Sequence, residues 1–205
     1  MLQHIFLFGH RKQHGKDTCC DIAEELLKEW NVQYCRTFYA KQLKIQASAS
    51  HNLDASLMED NDYKASKPEH LNGKSVRDIL IEVGNNKRAE DPDYWVRAAL
   101  NDLLESQVGV GIISDFRFPN EALAYEHLIT AEEKPMIHKV LVHRPDGVFA
   151  ADGSDDQLPD LANTEDEKYW DYVIMNNDTT ENWKSSLREQ VKEVLQNHVQ
   201  VYKSK

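Results

Sequence analysis

Five short apolar runs alternate along the chain with segments whose apolar residues recur at helical spacing. The runs are HIFLF (residues 4–8), QYCRTFYA (ending near Ala40), VGVGIIS, MIHKVLVH and DYVIMNN. After the first, Ile22, Ala23, Leu26, Leu27 and Trp30 mark one face of a helix over Asp17 to Trp30. A second helix begins at AKQLK, and SVRDILIEVG carries Val76, Ile79, Leu80 and Val83 on one side. DPDYWVRAALNDLLES opens with an acidic N-cap and a proline in its first turn. FPNEALAYEHL is a helix entered through Pro119, and TTENWKSSLREQVKEVLQNHV closes the chain with Trp183, Leu187, Val191 and Leu195 in register. Strands alternating with helices predict an α/β three-layer sandwich, a parallel sheet of about five strands covered on both faces. Residues 51–73 are polar and broken by Pro68 and Gly73, which reads as a mobile insert or short helices. With no internal repeat and no linker, residues 1–205 are expected to form a single domain.

A chain of 205 residues with 40% hydrophobic content can build one sizeable core. No stretch approaches the roughly 20 apolar residues of a membrane span, and MLQHIFLFGH lacks the charged start and cleavage site of a secretory signal. Cys19, Cys20 and Cys35 form an odd set with no CxxC or Cys/His ligand spacing. They read as small buried thiols of a reducing compartment, and the expected location is the cytoplasm. The formal net charge of -11 argues against stable nucleic-acid binding, which draws on a basic face. It leaves open a small phosphorylated ligand, held by a few well-placed cations.

Ligands on parallel sheets bind beyond the carboxyl ends of the strands. The chemistry is therefore expected at three strand exits: GHRKQHGKDT, SDFRFPNE and HRPDGVF. The first is nearly the phosphate loop G-x-x-x-x-G-K-[ST]. Five residues rather than four separate Gly9 from Gly15, and Asp17 follows Lys16 where a hydroxyl is usual, with Thr18 behind it. Backbone N–H groups at a glycine turn and a helix start form an anion nest. Lys16 would reach the β- and γ-phosphates of a nucleotide, and Asp17 is a hard oxygen donor that Mg²⁺ accepts. The competing reading is a basic turn with Asp17 as a helix cap.

At the second exit, Asp115 ends an apolar strand, where a carboxylate would orient Mg²⁺ through water or activate an acceptor oxygen. Arg117, two residues on, can project towards a phosphate. The competing reading is an ion pair between them, with Asn120 and Glu121 as helix-start residues. Arg77 and Arg88 lie on or just after one helix, and Tyr94 and Trp95 open the next. Arginine forks suit phosphates and aromatic faces suit a base, although by itself the stretch is explained better by packing and solvated charge. Arg144 leads into a strongly acidic segment over 144–168, which reads as a lid or as a surface loop.

Together these segments resemble the deoxynucleoside monophosphate kinases found mainly in bacteriophages, within the P-loop nucleoside monophosphate kinase group. The resemblance rests on GKDT (Gly15 to Thr18), AKQLK after the second strand, RDILIEVGNNKR followed by DPDYWV, and SDFRFPNEA (Ser114 to Ala122). It extends to LANTEDEKYWDYVIMNN, which looks like that family's lid and last strand. Phosphomevalonate kinases of animals share the GKD loop and a similar R…G..KR…P segment. The resemblance implies a P-loop NTPase fold and ATP-dependent phosphorylation of deoxynucleoside 5′-monophosphates by direct in-line transfer with Mg²⁺. It implies that Gly9, Gly15, Lys16, Asp17, Thr18 and Arg144 hold ATP, and that Asp17 and Asp115 serve the metal. Lys16, Asp115 and Arg117 would act in transfer, and Lys44, Arg77, Arg88, Trp95, Arg117, Asn120 and Glu121 would line the acceptor pocket. A homodimer and, for a phage-encoded chain, the host cytoplasm are further expectations. Alternatives are a phosphomevalonate kinase-like enzyme, a kinase acting on bases within DNA, and a nucleotide-binding regulator without turnover.

Overall fold

Each apolar run except the second forms a strand close to its expected bounds in the computed structural model, which describes residues 1–9, 14–129, 134–145 and 170–199. The strands are β1 (His4–Gly9), β2 (Tyr34–Thr37), β3 (Val110–Phe116), β4 (Met136–His143) and β5 (Tyr172–Met175). β2 stops at Thr37, short of the expected end near Ala40, because Ala40 already begins a helix. The helices are α1 (Lys16–Glu29), α2 (Ala40–His51), α3 (Asn61–Ala65), α4 (Val76–Glu90), α5 (Tyr94–Glu105), α6 (Pro119–Leu123), α7 (Tyr125–Leu128) and α8 (Trp183–Gln196). Within residues 51–73 lie α3 and single 3₁₀ turns at Ala55–Leu57 and Glu69–Leu71, so of the two readings of this stretch the short helices hold. His10 to Gln13 in the first loop, and all of the lid-like segment beyond Pro145, lie outside the described residues.

The chain divides into two compact units, Met1–Phe38 with Asn101–Lys205, and Tyr39–Leu100. In the first, all five strands run parallel in the order β2-β3-β1-β4-β5. The pleat sends alternate side chains to opposite faces. Phe6, Phe8, Val110 and Ile112 therefore meet α1 and α8 through Cys19, Cys20, Ala23, Leu27, Leu187, Val191 and Leu195. On the other face Leu103 of α5 lies over Gly111, where a Cβ would approach its Cδ1 to 2.8 Å. Helices thus cover both sides, as the alternation of elements predicts. The edge strand β5 is closed by the Gln190 amide, which accepts from Met175 N and donates to Met175 O, leaving less backbone open to foreign strands.

The adjacent thiols sit in this core. Burial pushes the Cys19 thiol up to about 12 and Cys20 well above its ordinary value, so neither supplies a thiolate at neutral pH. In the second unit, Ala47, Leu53, Met58, Leu71, Val76 and Ile79 form a smaller core. α4 begins with a capping box, Ser75 and Asp78 bonding each other's backbone N–H.

On the α8 side, His4 Nδ1 and His138 Nε2 share a hydrogen bond of 3.1 Å. The His198 ring lies tilted by 32° against His138, with centroids 3.8 Å apart, and is hydrogen-bonded to the Tyr172 hydroxyl. Burial, then the neighbouring His198 and His4, push His138 down from 6.5 to about 3, and burial with His198 lowers His4. His138 stays neutral in the fold and charges in the unfolded chain, so its stability is complete above the ordinary histidine pKa and is lost as pH falls from there towards about 3. Urea unfolding should lose about 1.4 kcal/mol per pH unit below roughly pH 6 from His138 alone. His138→Gln, which does not titrate, should flatten that slope. An equal slope in the variant would show that His138 is not the group responsible.

Candidate active site

The strand order explains why three of the loops converge. β1 lies between β3 and β4, and all three run the same way, so their exits are neighbours at one end of the sheet. These are the exits that carry Gly9 to Thr18, Asp115 to Glu121, and Arg144. Gly9 closes β1 where a Cβ would stand 2.5 Å from Phe116 and 2.8 Å from Trp170. Its missing side chain makes room for these two rings, which meet edge to face at 5.4 Å.

Gly15 caps α1 with φ +101°, a left-handed backbone that glycine adopts without penalty. A Cβ there would also meet Asn176 Nδ2 at 2.6 Å. The first internal bond of α1 runs from Cys19 N to Gly15 O, 2.9 Å. The amides of Lys16, Asp17 and Thr18 thus precede the helical ladder, at the positive end of its dipole. They open on a cleft of about 560 Å³ lined by Gly15, Lys16, Asp17, Thr18, Arg144 and, beyond the exit of the edge strand β5, Asn176, Asp178, Thr179 and Trp183. Lys16 is largely buried.

Asp17 is not a lone carboxylate. Its Oδ1 accepts from Arg36 Nη2 at 3.1 Å, and Arg36 also bonds Asp21 at 2.6 Å and Glu24 at 3.1 Å. Residues 17, 21 and 24 recur at the four- and three-residue spacing of one helix face, so one arginine of β2 holds an acidic stripe of α1. The Asp17 side chain stays 80% exposed, leaving oxygen for other ligands.

At the β3 exit the pairing slips: Leu7 faces Ile113 but Gly9 faces Phe116. Two steps along β1 answer three along β3, a bulge at Ser114 and Asp115 of the kind that re-aims side chains beside active sites. The strand also runs past the expected VGVGIIS to Phe116, so Asp115 lies within it. Glu121 is buried, and its Oε2 accepts from Arg117 N at 2.7 Å and Phe118 N at 2.9 Å. That is the helix-start arrangement the sequence allowed, and it fixes the turn that carries Arg117 and Asn120.

Lys44, Arg77, Arg88 and Trp95 belong to the second unit. Lys44 Nζ pairs with Glu59 at 2.5 Å. Arg77 and Arg88, both on α4, are 11 residues apart, about three turns, and so share one side of it. Arg88 Nη1 donates to Asn85 Oδ1 at 3.2 Å. Trp95 is buried and donates its ring N–H to Gly84 O at 3.2 Å.

Sequence reading missed Asn176, Asp178, Thr179, Trp183, His14 and Arg36. The first four follow from the parallel sheet: the exit of DYVIMNN must lie at the same end as the other three. No signal marks His14 or Arg36. Among the described residues no cluster of three or more His, Cys, Asp or Glu could hold a metal by itself, and no helix is long and apolar enough to cross a membrane.

Among solved structures, the dephospho-CoA kinase from Campylobacter jejuni aligns with 97% of this chain and 100% of its own at 17% identity, with a TM-score of 0.50. The shikimate kinase from Acinetobacter baumannii in complex with shikimate aligns with 98% of this chain and 97% of its own at 14% identity, with a TM-score of 0.43. No curated protein matches. The first alignment agrees with the three-layer parallel fold. A family model for phosphomevalonate kinase matches residues 7–131, more than half of the chain, running from β1 through the β3 exit. The chain therefore belongs to the phosphomevalonate kinase family, and it is a kinase.

Proposed function

We propose that this kinase transfers the γ-phosphoryl group of ATP to the phosphate of a deoxynucleoside 5′-monophosphate, forming the diphosphate and ADP. The observation that carries the nucleotide half is the cleft in which left-handed Gly15, buried Lys16 and Arg144 meet at the start of α1. Its volume of about 560 Å³ is that of a small-molecule site. The acceptor half is supported by the resemblance of SDFRFPNEA and of the Arg77–Arg88 segment to enzymes of that class.

In this reading the amides of residues 15–18 and the Lys16 ammonium hold the β- and γ-phosphates. Asp115 orients the incoming phosphate oxygen, and Arg117 with Arg77 and Arg88 holds the acceptor phosphate. That oxygen forms a bond to the γ-phosphorus as the bond to the β–γ bridging oxygen breaks, and the bridging oxygen leaves with ADP. The residues supply position and charge, with no covalent intermediate. The donors suit Mg²⁺, which takes one or two carboxylates with phosphate oxygens and water rather than an all-protein cage. Asp17, Thr18 and Asp115 would serve it, and the ion, when bound, neutralises phosphate charge.

A second reading, transfer to phosphomevalonate, is favoured by the family match over residues 7–131. ADP release measured with ATP, Mg²⁺ and a panel of deoxynucleoside monophosphates, phosphomevalonate and DNA separates the two. Turnover is expected with one or more of the monophosphates. Release with phosphomevalonate alone would sink the first reading, and nucleotide binding without transfer would indicate a regulator.

Lys16→Ala should lower kcat by about 10²–10³-fold, the scale of losing one preorganised charge donor, with an unchanged circular-dichroism melt. Wild-type turnover in that variant would refute the phosphate-loop assignment. Arg77→Ala and Arg88→Ala should each raise the acceptor KM about 10- to 100-fold while leaving the ATP KM in place, as expected from losing a charged hydrogen bond. If the ATP KM moves instead, these arginines do not hold the acceptor.

A further inference from the structure

The residue before Gly15 is held from two directions, by the Asn176 side chain and by the backbone N–H of Arg144. The His14 carbonyl accepts from Asn176 Nδ2 at 2.9 Å, and its ring Nδ1 accepts from Arg144 N at 3.0 Å. His14 is 3% exposed. Both anchors belong to the sheet rather than to the loop. Arg144 directly follows β4, and Asn176 directly follows β5, where Asn176 N donates to His143 O at 2.7 Å and continues the ladder.

His14 O and the Gly15 N–H belong to one peptide unit. In a planar trans peptide these two groups point in opposite directions, so a carbonyl held by Asn176 turns the Gly15 N–H away from it. The same amide group lies 2.6 Å from where a Gly15 Cβ would stand. Any other residue at position 15 would collide with Asn176 as well as strain the left-handed backbone. Asn176 also lines the cleft, so the contact is made at the nucleotide site itself.

We propose that Asn176 and His14 are positioning residues for phosphoryl transfer: Asn176 aims the Gly15 N–H at the nucleotide phosphates, and the His14 ring locks that peptide to the β4 exit. The inference rests on the phosphate-site reading of Gly15 to Thr18. A donor fixed before substrate arrives costs no reorganisation during reaction, and that benefit disappears once the peptide can rotate. Two geometric requirements follow for the side chains. Position 176 needs an N–H donor of asparagine length. Position 14 needs an acceptor where Nδ1 lies, which the Oδ1 of an asparagine can also supply.

The test uses the full chain, with ADP and Mg²⁺ as the binding probe followed by calorimetry, and ATP with the acceptor found in the panel for kinetics. Asn176→Ala and Asn176→Asp should weaken ADP binding and lower kcat by about tenfold each, the size of one lost hydrogen bond, without changing the acceptor KM. The aspartate variant keeps side-chain volume, so a folding defect in the alanine variant does not decide the outcome. Because its carboxylate also repels ADP, the Gly15 amide, read at ADP concentrations that saturate each variant, separates lost aim from repulsion. His14→Ala should show the same loss, and His14→Asn should recover to within about threefold of wild type. In ¹⁵N-labelled protein the Gly15 amide resonance should move on adding ADP in wild type and stay in place in Asn176→Asp. Wild-type ADP affinity and kcat in both Asn176 variants, or a Gly15 resonance that still responds, would overturn the proposal. Equal losses in His14→Asn and His14→Ala would overturn its second half. The phosphate-site reading fails separately, if wild-type protein does not bind ADP or if Lys16→Ala binds it as well as wild type.

Discussion

The left-handed backbone at Gly15 is the constraint on which the site depends. With φ at +101° the chain leaves the loop and enters α1 at once. Lys16 is already helical, and the amides of residues 16 to 18 precede the first internal bond. A residue with a side chain would face steric cost in this region and a collision with Asn176 at 2.6 Å. Each lost ångström at the start of α1 would move the positive end of the helix dipole and Lys16 together. The two glycines of the loop thus serve different needs. Gly15 supplies a backbone angle, whereas Gly9 supplies space for Phe116 and Trp170.

The sheet was legible because burial on both faces leaves little choice of residue. HIFLF, MIHKVLVH and VGVGIIS are nearly continuous apolar runs, the pattern of strands covered on both sides. Boundaries shifted where local chemistry overrode the run. β3 runs on to Phe116 through a bulge that admits the polar pair Ser114 and Asp115. FPNEALAYEHL breaks into α6 and α7 at Ala124, although its periodicity reads as a single helix. Periodicity reports which face is buried and is insensitive to one residue that interrupts the backbone ladder.

The site was legible only where a motif places several groups in one short stretch. Gly15 to Thr18 is such a stretch and lines the cleft, whereas Asp115 and Arg117 are not among its lining residues. Asn176 and His14 are 162 positions apart, and Arg36 meets Asp17 across 19. Such contacts depend on strand order, which alternation alone does not determine. Glu121 makes its contacts within the motif itself. It stands inside the most specific motif of the chain, yet its carboxylate bonds the backbone N–H groups of Arg117 and Phe118. A motif residue can secure the turn that presents its neighbours.

The family match ends at residue 131, before β4 and β5. It therefore covers the phosphate loop, the Arg77–Arg88 helix and the β3 exit, but neither Arg144 nor Asn176. This division bears on the acceptor. Both candidate acceptors carry a phosphate, and the paired arginines of α4 suit either one. They differ in the remainder of the molecule, since a nucleoside adds a neutral aromatic base and phosphomevalonate adds a carboxylate. A carboxylate removed from water needs a further cation or several donors. Within residues 39–100, Lys44 is already set against Glu59, Lys74 against Glu82, Lys87 against Glu90 and Arg97 against Asp91. The two acceptors therefore ask different things of this unit beyond the phosphate: one needs a surface for a neutral base, the other a further cation or several donors.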